Sequence, residues 1–504
     1  MTQPYDELLD SVREASLIGS TAGILAWDQE TMLPRGGVEW RARQLAQLAS
    51  IGHEMWTSPR IGDLITICEG DPALVESPHS DSGANLRELR RNYDRQVKLP
   101  QSLVAEIAKT QSLAQHAWTE ARAKSDFQQF RPWLEKMVEL MQQKAACIGF
   151  EGDQEAWDVL LEGFEPGARA TQLQDIFTPL RERLTELIGD LLENGTPPAE
   201  DFNRERLPIA VQEEYVREVA KAIGFDSHRG RIDRATHPFC SGSHPGDVRI
   251  TTRFHEDNVV DALGSTMHEA GHGMYEQGMP VDHAGTPLGQ ATSLGVHESQ
   301  SRLWENHVGR SRAFWQWCHP LVQSKFGAPV AGYSAEDMYR AANVVRPDFI
   351  RVEADEATYN LHVIVRFEIE LALLRGDIAV ADVPAVWNEK YRDALGIEVP
   401  DDARGCLQDV HWSCGLFGYF PTYTLGNLFA AQLFEKAEGE LPDLHDQFSR
   451  GEFTPLREWL GRAVHEHGSR YTADELCERA TGEPLGMDAL LRHLEGKLRP
   501  VYGL

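Results

Sequence analysis

Long apolar runs are missing from this chain. No stretch approaches the roughly 18 consecutive apolar residues a membrane helix needs, so no membrane span is expected. Basic charge is scarce as well: Lys and Arg total 49 against 78 Asp and Glu, for a net charge of −29, and no Lys/Arg stripe compensates. That balance argues against nucleic acid as a partner. If a binding cleft shared the negative potential, substrates with acidic side chains would bind poorly. The seven cysteines (Cys68, Cys147, Cys240, Cys318, Cys406, Cys414 and Cys477) are odd in number and form no CxxC pair. Their scatter argues against a disulfide framework or a cysteine zinc site and suits a reducing cytoplasm. Met1 to Asp10 is polar, with neither a basic nor an apolar leader segment, so no secretory signal is expected. Internal repeats, low-complexity tracts and linkers long enough to separate independent domains are also absent.

Helical periodicity is what the chain does have. Residues 5–18, 37–51, 86–99, 101–124, 127–148, 171–193, 209–223 and 258–277 carry apolar positions at three- and four-residue spacing. The pattern continues over 298–318, 336–345, 353–374, 383–395, 422–437, 454–466 and 486–496. Strand signals are few. Asp247-Val-Arg-Ile-Thr-Thr-Arg253 alternates and is β-branched, which predicts one strand of a short hairpin lining a cleft. Gly and Pro cluster at 238–246 and 278–295, on both sides of the 258–277 helix, where binding loops are built. The expected architecture is mainly α: residues 1–504 as one large helical domain, with room for two lobes around a groove.

The 258–277 helix carries His268-Glu-Ala-Gly-His272. Asp257 and Asn258 offer an N-cap, Val260, Leu263, Met267 and Met274 an apolar face, and Gly278 with Pro280 a stop, so the motif falls mid-helix. Two histidines four residues apart lie one turn above the other, and both imidazoles can reach one metal ion. Glu269 projects beside that face, where it could take a proton from a metal-activated water. A catalytic zinc needs three protein ligands and one open position. The third ligand is left open by spacing: Glu298, in His297-Glu-Ser-Gln300 at the start of the next helical stretch, competes with Glu276 and Glu305. Glu276 is the weaker, because it extends the same helix and points away. His465-Glu-His467, on a polar late helix, reads as a solvated face.

Other motifs accompany these: Asp247-x-Arg249-x-Thr251, Ile350-Arg351-x-x-Ala354-Asp355 and Gly405-x-x-Gln408-Asp409-x-His411-Trp412. The set extends from Leu25-Ala-Trp27-Asp28-Gln29-Glu30-Thr31-Met32 with Gly36-Gly37, through His237-Pro238-Phe239, to Phe417-Gly-Tyr419-Phe420-Pro421-Thr422-Tyr423. Together they resemble the thermostable carboxypeptidase 1 (carboxypeptidase Taq) family of zinc-dependent metallocarboxypeptidases, over nearly the whole chain. The resemblance implies that His268, His272 and Glu298 hold the metal and that Glu269 is the general base. It also implies a gluzincin-like helical fold with a deep substrate groove and a small β-sheet near the active site. The site would be related to those of angiotensin-converting enzyme and neurolysin-like oligopeptidases, and members are commonly homodimers.

Related helical metallopeptidases use a downstream His and Tyr as oxyanion donors, which points to His411 and Tyr423, with Tyr419 the close rival. An exopeptidase acting at the C-terminus must recognise a free carboxylate, and a planar guanidinium binds both oxygens at once. Arg351 resembles the family's recognition residue; Arg249 and Arg253, on the expected strand, are alternatives. Asp409 could orient His411 or a metal-ligating imidazole. The expected function is a zinc metallocarboxypeptidase, with cobalt a possible substitute. It would remove single C-terminal residues of broad identity from peptides with a free C-terminus.

Overall fold

The computed structural model describes residues 3–504, so Met1 and Thr2 of the polar N-terminal stretch lie outside it. Helices follow one another through nearly the whole chain, and the described residues hold one sheet of three short strands. The mainly α expectation is borne out. Among the described residues no helix is long and apolar enough to cross a membrane. Local pattern explains the helices: in Ile209–Ile223 the buried residues Gln212, Tyr215, Val216, Val219, Ala220 and Ile223 recur at three- and four-residue steps.

By packing, the described residues divide into two compact units, each drawn from three stretches of chain. The first takes residues up to Gln96, Ala199–Ala342 and Phe429–Leu485; the second takes Val97–Pro198, Asn343–Leu428 and Gly486–Leu504.

The first unit opens with helix α1 (Gln3–Thr31), whose Tyr5, Leu8, Leu9 and Val12 pack with Ile61, Leu64, Ile65, Leu86 and Leu89. The sequence periodicity stops at residue 18 because beyond it only Trp27 is fully buried. The sheet comprises β1 (Gly230–Arg234), β2 (Cys240–His244) and β3 (Asp247–Thr252). Strand β3 is central, parallel to β1 and antiparallel to β2, so the expected hairpin is β2–β3 and β1 is an unforeseen parallel edge. Helix α2 (Val259–Gly278), capped by the Asn258 side chain, is tied to this sheet by Thr252 Oγ1 at 2.8 Å from Ser265 Oγ. Helix α3 (Leu294–Arg302) starts at a Ser293 cap. It does not run on to residue 318 as the periodicity suggests. Leu303–Val308 is a π-helical turn, and a new helix starts at Arg312 under a Ser311 cap.

In the second unit, helix α4 (Tyr359–Arg375) is buried on every face, with Leu361, Val363, Ile364, Val365, Phe367, Ile369 and Leu371 all inside. Phe367 meets Trp157 and Phe177 edge-on, with ring centroids at 5.1 and 5.3 Å. The same buried helix carries Asn360, His362, Arg366 and Glu370.

Gly271, inside His268-Glu-Ala-Gly-His272, is where α2 and α3 touch. A Cβ there would stand 2.6 Å from Gln300 O and 2.7 Å from Ser301 Cα. Gly271→Ala is therefore expected to push α3 outward at a cost of about 1–3 kcal/mol. The checks are the thermal midpoint and the metal content, both of which should drop; wild-type values for both would refute the close-packing argument.

Candidate metal centre and active site

Helix α2 presents His268 and His272 one turn apart, with ring centroids at 4.9 Å and planes near perpendicular at 85°. The close approach at Gly271 brings α3 near enough for Glu298 to face both. Glu298 Oε2 lies 3.7 Å from His268 Nε2 and 3.3 Å from His272 Nε2. Among the described residues these three form one group whose ligand atoms all lie within 4.8 Å of one another. Two imidazoles and a carboxylate are the donor set of a catalytic divalent metal.

The far nitrogens explain why Nε2 faces inward on both rings. His272 Nδ1 lies 3.0 Å from the His297 carbonyl oxygen, to which it donates. His268 Nδ1 lies 2.8 Å from Glu305 Oε2. Glu305 is held in turn by Arg302 Nη1 at 3.3 Å and Arg310 Nη2 at 3.7 Å. Arg302 Nε also donates to Glu298 Oε1 at 2.7 Å. Of the three carboxylates that spacing left open, Glu298 stands with the histidines and Glu305 stands behind His268. Glu276 accepts from His297 Nε2 at 2.8 Å, and His297 stacks on His272 at 4.3 Å.

Burial and charge set the protonation states. Burial pushes His272 down to about 3, helped by His297, so it is the neutral imidazole a metal requires. For His268 burial acts in the same direction, but Glu298 and Glu305 outweigh it and raise the pKa. Burial alone would raise Glu298, yet Arg302, His268 and His272 hold it well below the usual carboxylate range. Glu305 likewise falls to about 2, its burial overcome by Arg302 and His268. Glu269 is 5 % exposed, its Oε2 has no hydrogen-bond partner, and burial pushes it up to about 7 against His268. A buried carboxylate with a bare oxygen, poised near neutrality, fits a proton carrier.

The second unit gathers the other sequence candidates. Arg351 is 5 % exposed and donates from Nε and Nη2 to Asp409 Oδ1 at 3.1 and 2.9 Å, and from Nη1 to Tyr359 OH at 3.0 Å. Its guanidinium lies over the Tyr423 ring at 5.0 Å and the Phe420 ring at 5.5 Å. The other oxygen of Asp409 accepts from Arg366 Nε at 2.5 Å. Burial alone would raise Asp409, but Arg366 and Arg351 hold it well below the usual range. Two guanidiniums thus share one carboxylate, leaving one positive charge in excess among the hydrogen-bonded partners. His411 Nδ1 stands 3.7 Å from Asp409 Oδ1, and its ring meets Phe420 at 4.5 Å and Tyr419 at 5.4 Å. Burial pushes His411 down to about 4 against the pull of Asp409, so it is neutral near pH 7. Tyr419 and Tyr423 lie 5.6 Å apart, close to perpendicular.

The alternative arginines are engaged elsewhere. Arg249 pairs with both oxygens of Asp247 at 2.9 Å and lies over Trp27 at 4.5 Å; Arg253 pairs with Asp261 at 3.0 and 2.9 Å. His465 is not on a solvated face: it is 3 % exposed, with Nε2 2.9 Å from Gln300 Oε1. Sequence reasoning missed Arg366 and Glu370. Their signal was present as two charges four residues apart inside the apolar run of α4.

A helix-borne histidine pair joined by a carboxylate from the next helix defines a metallopeptidase type of centre. The family model of the Carboxypeptidase Taq (M32) metallopeptidases matches residues 7–498, and the chain belongs to that family. It is therefore a metallocarboxypeptidase. The thermostable carboxypeptidase 1 of Thermus thermophilus is 46% identical over 99% of this chain and 99% of its own length. The carboxypeptidase 1 of Bacillus subtilis is 36% identical over 98% of each. Among solved structures, the M32 carboxypeptidase from Deinococcus radiodurans R1 superposes with a TM-score of 0.96 at 40% identity, covering 100% of both chains. A Pyrococcus furiosus carboxypeptidase gives 0.94 at 34% identity over 99% of each.

Because Glu305 fixes the tautomer and direction of His268, Glu305→Gln is expected to weaken divalent-metal affinity by roughly 10- to 100-fold. Competition against a chelator of known affinity measures this. An unchanged affinity would make Glu305 a bystander.

Proposed function

We propose that this carboxypeptidase removes single C-terminal residues from peptides of broad sequence, using one zinc ion per chain held by His268, His272 and Glu298. Glu269 is the general base. The observation that carries this reading is the meeting of three ligand atoms, two of them from the motif that also holds a buried Glu269 whose Oε2 has no partner. A divalent metal bound there supplies a water activated near neutral pH and polarises the peptide carbonyl. The donor set suits zinc, and cobalt can take its place.

Glu269, pushed up to about 7, takes the proton of the attacking water and delivers it to the departing amine. His411 and Tyr423 donate to the developing oxyanion, with Tyr419 the alternative to Tyr423. The neutral state of His411 supports its part, since a neutral imidazole keeps one N–H to offer. Arg351 takes the terminal carboxylate of the substrate. The excess positive charge it shares with Arg366 and Asp409 favours an anion, and a guanidinium meets a carboxylate in plane. The enzyme works in the cytoplasm as a homodimer, a reading that rests on the family resemblance and the cysteine pattern.

One observation favours a second reading, an oligopeptidase or dipeptidyl-carboxypeptidase on the same groups: Asp409 already takes Arg351 Nε and Nη2. A single peptide supplied as free acid and as C-terminal amide, with products weighed by mass spectrometry, separates the two. Stepwise loss of single residues from the acid alone, stopped by a chelator, is the expected result. Equal cleavage of both forms, or release of internal fragments, would hand the assignment to the oligopeptidase. Glu269→Gln is expected to abolish turnover while elemental analysis still finds the metal; retained turnover would remove Glu269 from the mechanism.

A further inference from the structure

Glu370 has no exposed surface and, among the described residues, no salt bridge; burial pushes its pKa up to about 7 against the hydrogen bonds it accepts and the charge of Arg366 one turn away. Burying a carboxylate on those terms costs stability that an apolar residue would not. Its hydrogen bonds show where that cost is spent. Oε1 accepts from Trp412 Nε1 at 2.8 Å; Oε2 accepts from the Gly418 N–H at 2.9 Å and from Trp157 Nε1 at 3.3 Å. Trp412 is the neighbour of His411 and Gly418 the neighbour of Tyr419, so one carboxylate grips both ends of the loop between those candidates.

The loop is built to receive that grip. Gly418 has φ 81°, and a Cβ there would fall 2.7 Å from Leu161 N, so only glycine lets the backbone lie this close. The middle of the loop is held by Gln111 Nε2, which donates to the Cys414 carbonyl at 2.7 Å. One turn before Glu370 on α4, Arg366 holds Asp409, two residues ahead of His411. Helix α4 thus offers a guanidinium to the chain before His411 and a carboxyl acceptor to the chain after it.

We propose that Glu370 is a positioning residue: by holding Trp412 Nε1 and the Gly418 N–H on one carboxylate, it places His411 and Tyr419 for the reaction. The inference rests on the oxyanion role proposed above for His411. Burial by itself does not require it, because Trp157, the third donor, lies outside the loop and could be satisfied alone.

The test is steady-state kinetics of the metal-loaded enzyme on a free-acid peptide. Glu370→Gln keeps the shape but sets an amide N–H2 against an N–H donor. It is expected to lower kcat by roughly 10- to 100-fold, the scale of a misplaced catalytic group, with KM and metal content little changed. His411→Ala lowers kcat on its own, and adding Glu370→Gln to it costs clearly less than in the wild-type background, because one of the two groups being placed is gone. Equal losses from Glu370→Gln in both backgrounds would overturn the inference while leaving the His411 role intact. A His411→Ala enzyme of full kcat would overturn the oxyanion reading and the inference with it. If Glu370→Gln does not fold, Trp412→Phe carries the same cycle by removing one donor on the loop side. Trp157→Phe, which removes the donor outside the loop, is then expected to keep kcat; a Trp412→Phe enzyme with wild-type kcat would overturn the inference.

Discussion

The Arg302 guanidinium is the interaction on which the metal centre depends. It donates to Glu298 Oε1 and lies 3.3 Å from Glu305 Oε2, between two buried carboxylates that would otherwise repel each other. With Arg302 present both stay ionised, so Glu298 keeps its second oxygen for the histidines and Glu305 keeps His268 turned inward. The three side chains sit at one-turn intervals along a single stretch of chain. Their geometry therefore follows from helix geometry once α3 is seated on α2. The seating needs bare backbone at Gly271. A local spacing rule, one missing side chain and one shared cation together account for the arrangement.

The legible part of this site is the part written in local spacing. His268, Glu269 and His272 could be read directly, because four residues on a helix is a distance. The Asn258 cap and the end at Gly278 were equally local. Glu298 needed the family resemblance, since nothing in spacing says how a loop folds back. Glu305 was visible only as a competitor; that it stands behind His268 depends on a packing contact 37 residues away. The partner of Arg351 lies further off still, at Asp409, 58 residues along the chain.

Helix boundaries failed where tertiary structure overrides pattern. The apolar rhythm of 298–318 continues through the π-helical turn and the Ser311 cap, so it reads as one helix although the chain makes two. Helix α4 hides its chemistry for the opposite reason. Being buried all round, it shows no polar face, and Arg366 and Glu370 look like interruptions of a core helix. They hold Asp409, Trp412 and Gly418 instead.

The Arg351–Asp409–Arg366 cluster has a consequence for how the protein meets dissolved salt. The chain as a whole carries −29, while this buried cluster carries a surplus cation. Exposed charges act over a distance that shrinks to about 10 Å at 0.1 M ionic strength, whereas buried ones are screened far less. Adding salt therefore weakens the long-range repulsion that an approaching anion feels sooner than it weakens the short-range attraction at the cluster. For the terminal carboxylate proposed to meet Arg351, the two fields oppose each other with different reach, and ionic strength shifts the balance toward capture before it erodes both.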